Sequence, residues 1–427
     1  MDSEYYSEEY LASLNNVLRE REPIHYGKAS EDQGWMEAMK GELNAFDKNE
    51  TWEMTDLLEG KKAIDSKWVY RIKFDRDGNI EKLKAKLVTR GDKQIKGKDY
   101  KHTFLPVAKF TTVRTLIALA TAMNWKLEQL DINNAFFHGF LDEEVYMKPP
   151  KGYTGGKEGQ VCRLKRSLYG LKQASRQWNL ELTKFFIEHG YTQSKRDYSM
   201  FSKIENRKQT IVLVYVDDLL VTGDDTNEME KLKTELDNAF TMKDLGEMRY
   251  FLGIEVSRSP KGTMLNQRKF ILDILKSTWT EDCKPAKFPF PKGIKLSVDQ
   301  GDLLEDPEIY RRIIGRLLYL NLTRPDISYS VQQLSQFMCE PRKPHLQAAI
   351  HVVKYLAGTI DWSLYYPADS EVKLSSFCDS DWGNCAFSSR SLTGYCVFLG
   401  KSLVSWKTKK QKTVSKSSTE AEYRCMS

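Results

Sequence analysis

The apolar and aromatic run from Ile211 to Val216 meets two adjacent carboxylates, Asp217 and Asp218, and resumes as Leu219, Leu220 and Val221 before Thr222-Gly223-Asp224. A short run rich in β-branched residues and closed by turn residues predicts a buried strand hairpin. Neighbouring side chains on a strand point to opposite faces, so the two carboxylates can share a ligand only where the backbone turns between or just after them. Buried carboxylates are paired or coordinate metal. The plainer alternative is a solvated turn, although Asp-Asp lacks the Asn-Gly or Asp-Gly chemistry of tight hairpins. A third carboxylate lies in the alternating stretch around residues 127–132. There Leu127 and Asp131 share one face and Leu130 and Ile132 the other, which puts Asp131 at a strand end. Its competing reading is the N-cap of a helix starting near Asn133.

Helical spacing appears elsewhere. Trp178, Leu182, Phe185 and Phe186 form one buried stripe. Ile309, Ile313, Leu317 and Leu320 predict a helix from Glu308 to Leu322, and a second runs from His345 to Leu356 between Pro344 and Gly358. His345 and His351 are read as helix-surface residues. The stretch from Pro285 to Pro291 reads as an extended connector. Strand-like runs at residues 372–377, 395–399 and 403–406 precede a helix start at 417–420. With 427 residues, 41% of them hydrophobic, the chain exceeds the roughly 250–300 residues of a single core, so more than one core is expected.

The total of 65 basic against 59 acidic residues decides little, but their distribution does. Residues 1–60 carry 5 basic and 15 acidic side chains, whereas residues 61–101 carry 14 and 6. A block of this kind suits a phosphate backbone, with a solvated Lys-rich hairpin as the alternative. The seven cysteines form no Cys-x-x-Cys pair or Cys/His array and suit a reducing compartment. No run of 18 apolar residues and no signal-like N-terminus occurs, so no membrane or secretory placement is expected.

Three segments carry a specific resemblance: Gln129-Leu130-Asp131-Ile132-Asn133-Asn134-Ala135-Phe136-Phe137, Ser167-Leu168-Tyr169-Gly170-Leu171-Lys172-Gln173, and Tyr215-Val216-Asp217-Asp218. Together they resemble the successive polymerase motifs of the reverse transcriptase of Ty1/copia-type long-terminal-repeat retrotransposons. The likeness extends from Trp35 through Thr323-Arg324-Pro325-Asp326 to Ser417-Ser418-Thr419-Glu420-Ala421-Glu422-Tyr423. It implies an α+β right-hand polymerase fold. The expected division is an acidic N-terminal lead at 1–27, fingers and palm at 28–256, thumb and connection at 257–368, and a partial ribonuclease H-like segment at 369–427.

By the same resemblance, Asp131, Asp217 and Asp218 are catalytic and hold two Mg²⁺ ions, with Mn²⁺ as a substitute. Lys84 and Lys86 match basic positions of the fingers hairpin that face triphosphate and template. Phe136 lies under the incoming sugar, Gln173 is the polar residue on the base side, and the turn Phe251-Leu252-Gly253 supports the primer end. Gly170 is expected to allow close backbone approach to a ligand. Asp379 and Glu422 match the first two carboxylates of a ribonuclease H site. The other two fall beyond residue 427, so this second metal site is expected to be vestigial and ribonuclease H activity absent. The implied function is an RNA-directed DNA polymerase, extending a primer on an RNA or DNA template with deoxynucleoside triphosphates by two-metal phosphoryl transfer. Self-association or polyprotein partners are expected, in virus-like particles of the cytoplasm or in the nucleus. The alternative is a non-catalytic retroelement remnant that retains only nucleic-acid binding.

Overall fold

In the computed structural model, which describes residues 22–74, 79–103, 105–294, 296–385 and 388–426, a short helix α1 (Tyr26–Ala29) leads into α2 (Gln33–Lys48). Most of the acidic lead, through residue 21, lies outside the described residues. The Asp32 carboxylate caps α2 by accepting from the Trp35 N–H at 2.9 Å. Trp35, Met39, Leu43 and Phe46 recur every three or four residues and are buried. They pack on β2 (Ser66–Phe74) and β3 (Ile80–Thr89), which follow β1 (Trp52–Thr55). The β2–β3 hairpin is two-sided because its residues alternate. Trp68, Tyr70, Ile72, Ala85 and Leu87 are buried beneath α2, while the register aligns Lys73 with Lys82 and Arg71 with Lys84 on the other side. The basic side chains of these two strands therefore share one face of the hairpin.

Next come α3 (Phe110–Ala122), β4 (Lys126–Ile132), β5 (Phe140–Met147), β6 (Val161–Arg166) and α4 (Ala174–Glu188). They are followed by β7 (Thr192–Gln193), β8 (Met200–Glu205), β9 (Lys208–Tyr215), β10 (Asp218–Gly223), α5 (Thr226–Phe240) and β11 (Met242–Glu247). Six of these strands form an antiparallel sheet in the order β11-β4-β10-β9-β8-β7, and β1-β6-β5 form a separate sheet. On one face of the large sheet Leu130, Ile132, Val212, Val214, Leu219 and Val221 join Trp178, Leu182 and Phe186 of α4 and Leu232 and Leu236 of α5 in one core. On the other face Leu127, Leu213 and Leu220 join Val113, Leu116 and Ile117 of α3. This is the alternation expected around residues 127–132.

A four-stranded sheet consists of β12 (Tyr250–Phe251), β13 (Ile254–Ser259), β14 (Gly262–Asn266) and β15 (Leu364–Pro367). Between its last two strands lies a helical bundle of α6 (Arg268–Ser277), α7 (Pro307–Leu320), α8 (Ser328–Ser335) and α9 (Lys343–Ala357). The expected division at 256 therefore falls within β13, whose ladder continues across it. The bundle is an excursion from a sheet that opens before it and closes after it.

Two further expectations are corrected. The buried stripe of α7 is Tyr310, Ile313, Ile314, Leu317 and Leu320, and Ile309 is exposed. His345 is fully buried: its Nδ1 accepts from the Arg342 N–H at 3.0 Å, and its ring stacks on Phe337 at 3.9 Å. It serves as a helix cap, satisfying an end that leaves backbone donors unpaired.

The final segment forms β16 (Leu374–Asp381), β17 (Leu392–Leu399), β18 (Ser402–Lys410) and α10 (Ser418–Met426). It docks through Leu399 and Val404 on the α3 side of the core. Arg114 of α3 fastens it by donating from Nε to the Val404 carbonyl and from Nη1 to the Leu322 carbonyl, both at 2.8 Å.

Candidate active site

Only Val216 and Asp217 separate β9 from β10, because Tyr215 pairs directly with Asp218. Val216 has φ of 60°, the left-handed value that a two-residue hairpin loop demands at its first position. This is the bend that adjacent carboxylates need in order to act together. Across the next ladder, Asp218 stands opposite Asp131, and the Ile132 N–H donates to the Asp217 carbonyl at 2.9 Å. Asp131 is thus a strand residue and not a helix cap; Asn134 occupies the cap of the short turn at Ala135–His138.

The three half-buried carboxylates crowd one another. Burial pushes the Asp131 carboxyl above its usual range and nearby Asp217 adds to the shift, against the opposing charge of Lys243 on β11 and of Lys84 and Lys73 on the β2–β3 hairpin. Burial also raises Asp218. A hydrogen bond from Gln129 Nε2 at 3.1 Å opposes this rise, and Asp217 and Asp131 reinforce it. Lys86 reaches the same place from β3. Desolvation lowers its pKa, while Glu42, Asp217 and Asp131 pull it back up.

An aromatic step supports Lys86. Its Nζ lies 3.8 Å from the centre of the Tyr169 ring, a cation–π contact, and the Phe136 ring meets Tyr169 edge-on at 4.9 Å. Burial, followed by the charges of Asp217, Glu42 and Asp131, pushes the Tyr169 hydroxyl up to about 12. Tyr169 is held in turn by β3, since both the N–H and the hydroxyl of Thr89 donate to its carbonyl at 2.8 and 3.0 Å. Gly170, with φ of 93°, makes that approach possible, because a Cβ there would strike the Thr89 carbonyl. The close backbone approach that Gly170 permits is made to β3.

The structure brings together Asp131, Asp217, Asp218, Lys86 and Phe136, and sets Lys84 two residues from Lys86 on the same side of β3. It does not present Gln173. That side chain is wholly buried, donating from Nε2 to the Asp99 carbonyl at 2.9 Å and accepting from Gln94 Nε2 at 3.1 Å. The base-side assignment is corrected accordingly: the loop after β3 that carries Gln94 and Asp99 takes up both ends of this amide and is bracketed by it to the motif. Sequence reasoning missed Tyr169, Gln129, Glu42 and Lys243 as neighbours of the site. Tyr169 lies inside the Ser167–Gln173 motif, where only its aromatic character beside Gly170 signals it. Asp379 and Glu422 lie in the C-terminal sheet and helix, where Glu422 Oε1 accepts from the Ser380 N–H at 3.3 Å.

Among the described residues no three such side chains already converge as a metal cage. The donor set nonetheless fits a hard divalent cation. It is all carboxylate oxygen, two members are in register, and burial, with the neighbouring carboxylates adding to it, raises the pKa of Asp131 and Asp218. A consequence follows for stability in buffer free of divalent cations. Because the folded-state pKa of Asp218 lies above its unfolded value, its ionised form costs stability at pH above that raised value. The cost fades as pH falls toward the unfolded carboxylate value of about 3.9. Asp218→Asn is expected to melt above the parent at pH 7, with the gap closing by about pH 4. A variant that melts at or below the parent at pH 7 would contradict this charge assignment.

A strand hairpin, opposed carboxylates and a basic second hairpin thus meet on an α+β fold. A model of the family described as reverse transcriptase (RNA-dependent DNA polymerase) matches residues 49–292. The Pol polyprotein of transposon RE1 from Arabidopsis thaliana is 41% identical over 411 residues, 96% of this chain and 28% of that protein. A transposon Ty5-1 protein of Saccharomyces cerevisiae is 32% identical over 298 residues, 69% of this chain and 97% of that one. The solved foamy viral protease-reverse transcriptase in complex with double-stranded DNA gives a TM-score of 0.48 at 12% identity, over 91% of this chain and 58% of that one. The chain belongs to the reverse transcriptase family, among the copia-type transposon proteins. It spans little more than a quarter of the RE1 polyprotein. Among the described residues no helix is long and apolar enough to cross a membrane.

Proposed function

We propose that this chain is an RNA-directed DNA polymerase whose reaction centre is Asp131, Asp217 and Asp218. The observation that carries the reading is the in-register opposition of Asp131 and Asp218, with Asp217 at the hairpin tip, beneath Lys86 of the fingers. The three carboxylates would hold two divalent ions, Mg²⁺ or Mn²⁺. Such ions, when bound, supply charge neutralisation to a primer 3′-hydroxyl and to a departing pyrophosphate. The chain's own residues do the rest. Lys86, seated on Tyr169, and Lys84 attract the triphosphate of an incoming deoxynucleotide. The basic side of the β2–β3 hairpin takes up backbone phosphates of template and primer. The turn between β12 and β13, at Leu252 and Gly253, supports the primer end.

Phe136 serves as the floor beneath the sugar. Its ring is partly buried on one side by Tyr169, which leaves it rigid enough to exclude a 2′-hydroxyl. Phe136→Val removes the ring and keeps an apolar contact, so ribonucleotide incorporation should rise relative to deoxynucleotide, by about ten- to a hundredfold if the contact follows ordinary pocket discrimination. An unchanged ratio would leave Phe136 as core only.

We place the activity inside the cell, in virus-like particles of the cytoplasm or in the nucleus. The reading is supported by seven cysteines that are all free, as in a reducing compartment. Primer extension by the purified chain on an RNA template, with deoxynucleotides and Mg²⁺, tests the function. Absence of template-directed extension under conditions where the chain is folded and binds template would overturn it.

A further inference from the structure

The two-residue loop that presents Asp217 is built from the wrong residue for its shape. First positions of such loops favour Gly, Asn or Asp, yet Val216 sits there at φ of 60°, in a region that is sterically costly for a β-branched side chain. A conformation of this kind persists only where its surroundings over-determine it. They do so here through two successive carbonyls. The Val216 carbonyl accepts from Trp178 Nε1 at 2.7 Å, and the Asp217 carbonyl accepts from the Ile132 N–H at 2.9 Å. Each peptide is planar, so holding the peptide before Asp217 and the peptide after it leaves that residue little freedom in φ or ψ. The direction of its carboxylate follows.

Trp178 is itself firmly placed. It is 1% exposed, and its ring meets Phe240 of α5 at 5.1 Å, close to perpendicular. Its backbone lies so near Gly139 that a Cβ on that glycine would strike the Trp178 nitrogen. The first turn of α4 is thereby clamped to the loop that carries Phe136, with the indole N–H directed at the hairpin tip. Packing alone would ask for any large apolar ring here; the short N–H to carbonyl bond asks for tryptophan.

We propose that Trp178 is a positioning residue for polymerisation: its indole N–H holds the strained Val216 peptide and so sets where Asp217 and Asp218 stand. This rests on the polymerase reading given above. It makes the helix after the Ser167–Gln173 motif a support for the hairpin, a role distinct from the contribution of Tyr169 to the nucleotide side.

Trp178→Phe keeps an aromatic ring and removes the donor. Misplacement of the reacting groups should lower kcat by about ten- to a hundredfold, while the Kd for template and primer stays within about twofold, since that affinity comes from distributed basic side chains. Exchange of the Ile132 amide should quicken as its acceptor loosens. Replacing Trp178 by benzothienylalanine, which retains the shape of the indole and substitutes sulfur for the N–H, gives the same test where phenylalanine underfills the core. The strain at Val216 supplies a further arm. In a Val216→Gly background the left-handed turn costs little, so losing the indole bond should lower kcat by a clearly smaller factor than in the parent.

Parental kcat in the benzothienylalanine protein, or equal losses in the parent and Val216→Gly backgrounds, would overturn the proposal and leave Trp178 with packing alone. Asp217→Asn serves as the reference. Normal extension by that variant would sink the polymerase reading itself, whereas an inactive Asp217→Asn beside a normal Trp178 variant would sink only the positioning role.

Discussion

Asp217→Asn is expected to reduce primer extension by about 10²- to 10³-fold, the loss typical when one preorganised electrostatic contact to a reacting centre is removed, equivalent to about 2.7–4 kcal/mol. The residue is the hinge of the site: its carbonyl ties β10 to β4 through Ile132, and its charge raises the pKa of both Asp131 and Asp218. Amide replaces carboxylate with no change of shape, so the hairpin and its hydrogen bonds should survive. Template affinity should be nearly parental, because the basic face of the β2–β3 hairpin is untouched. Single-turnover extension with binding measured in parallel checks both halves. An extension rate equal to the parent's would remove Asp217 from the reaction centre.

The second large effect is expected on stability. Arg324, 2% exposed, forms a forked pair with Asp326, Nε to Oδ1 at 2.9 Å and Nη2 to Oδ2 at 2.7 Å, and also donates to the carbonyl and hydroxyl of Thr359. The Tyr355 hydroxyl closes the cluster by donating to Asp326 Oδ2 at 2.9 Å. The Thr323-Arg324-Pro325-Asp326 motif is thus a lock between the end of α7 and the end of α9. Asp326→Asn leaves a buried guanidinium without its counter-charge, a change that costs about 3–5 kcal/mol in comparable pairs. The lower end is expected here, since the Asp326 side chain keeps 24% exposure. Urea unfolding of parent and variant reads this directly. A midpoint shift amounting to less than about 0.5 kcal/mol would show that solvent takes over the role of Asp326.

Much of the proposed site was legible in the residues because its parts are local. The adjacency of Asp217 and Asp218, the apolar runs on either side, and the alternation that puts Asp131 on the face of Leu127 all survive in the structure. The stripe of Trp178, Leu182 and Phe186 was legible for the same reason. Gln173 and Gly170 were not. Each sits in a motif whose spacing suggests a ligand, yet the amide of one is consumed by Gln94 and Asp99 and the open face of the other by Thr89. Those partners lie some eighty positions away in the chain, and no periodicity encodes them.

Residue order and spacing thus carry the local geometry: three carboxylates, a basic hairpin, strand and helix periods, and the family to which they point. Which distant groups meet is set by how the fold packs. That packing sets Tyr169 under Lys86, turns Trp178 toward Val216, buries His345, and closes β15 onto β14 across a helical excursion. The physical reason is that periodicity is written by backbone geometry over a few residues. Contact between distant segments depends instead on how whole faces bury their apolar surface and satisfy their polar groups, a sum over the fold that no single stretch of sequence contains.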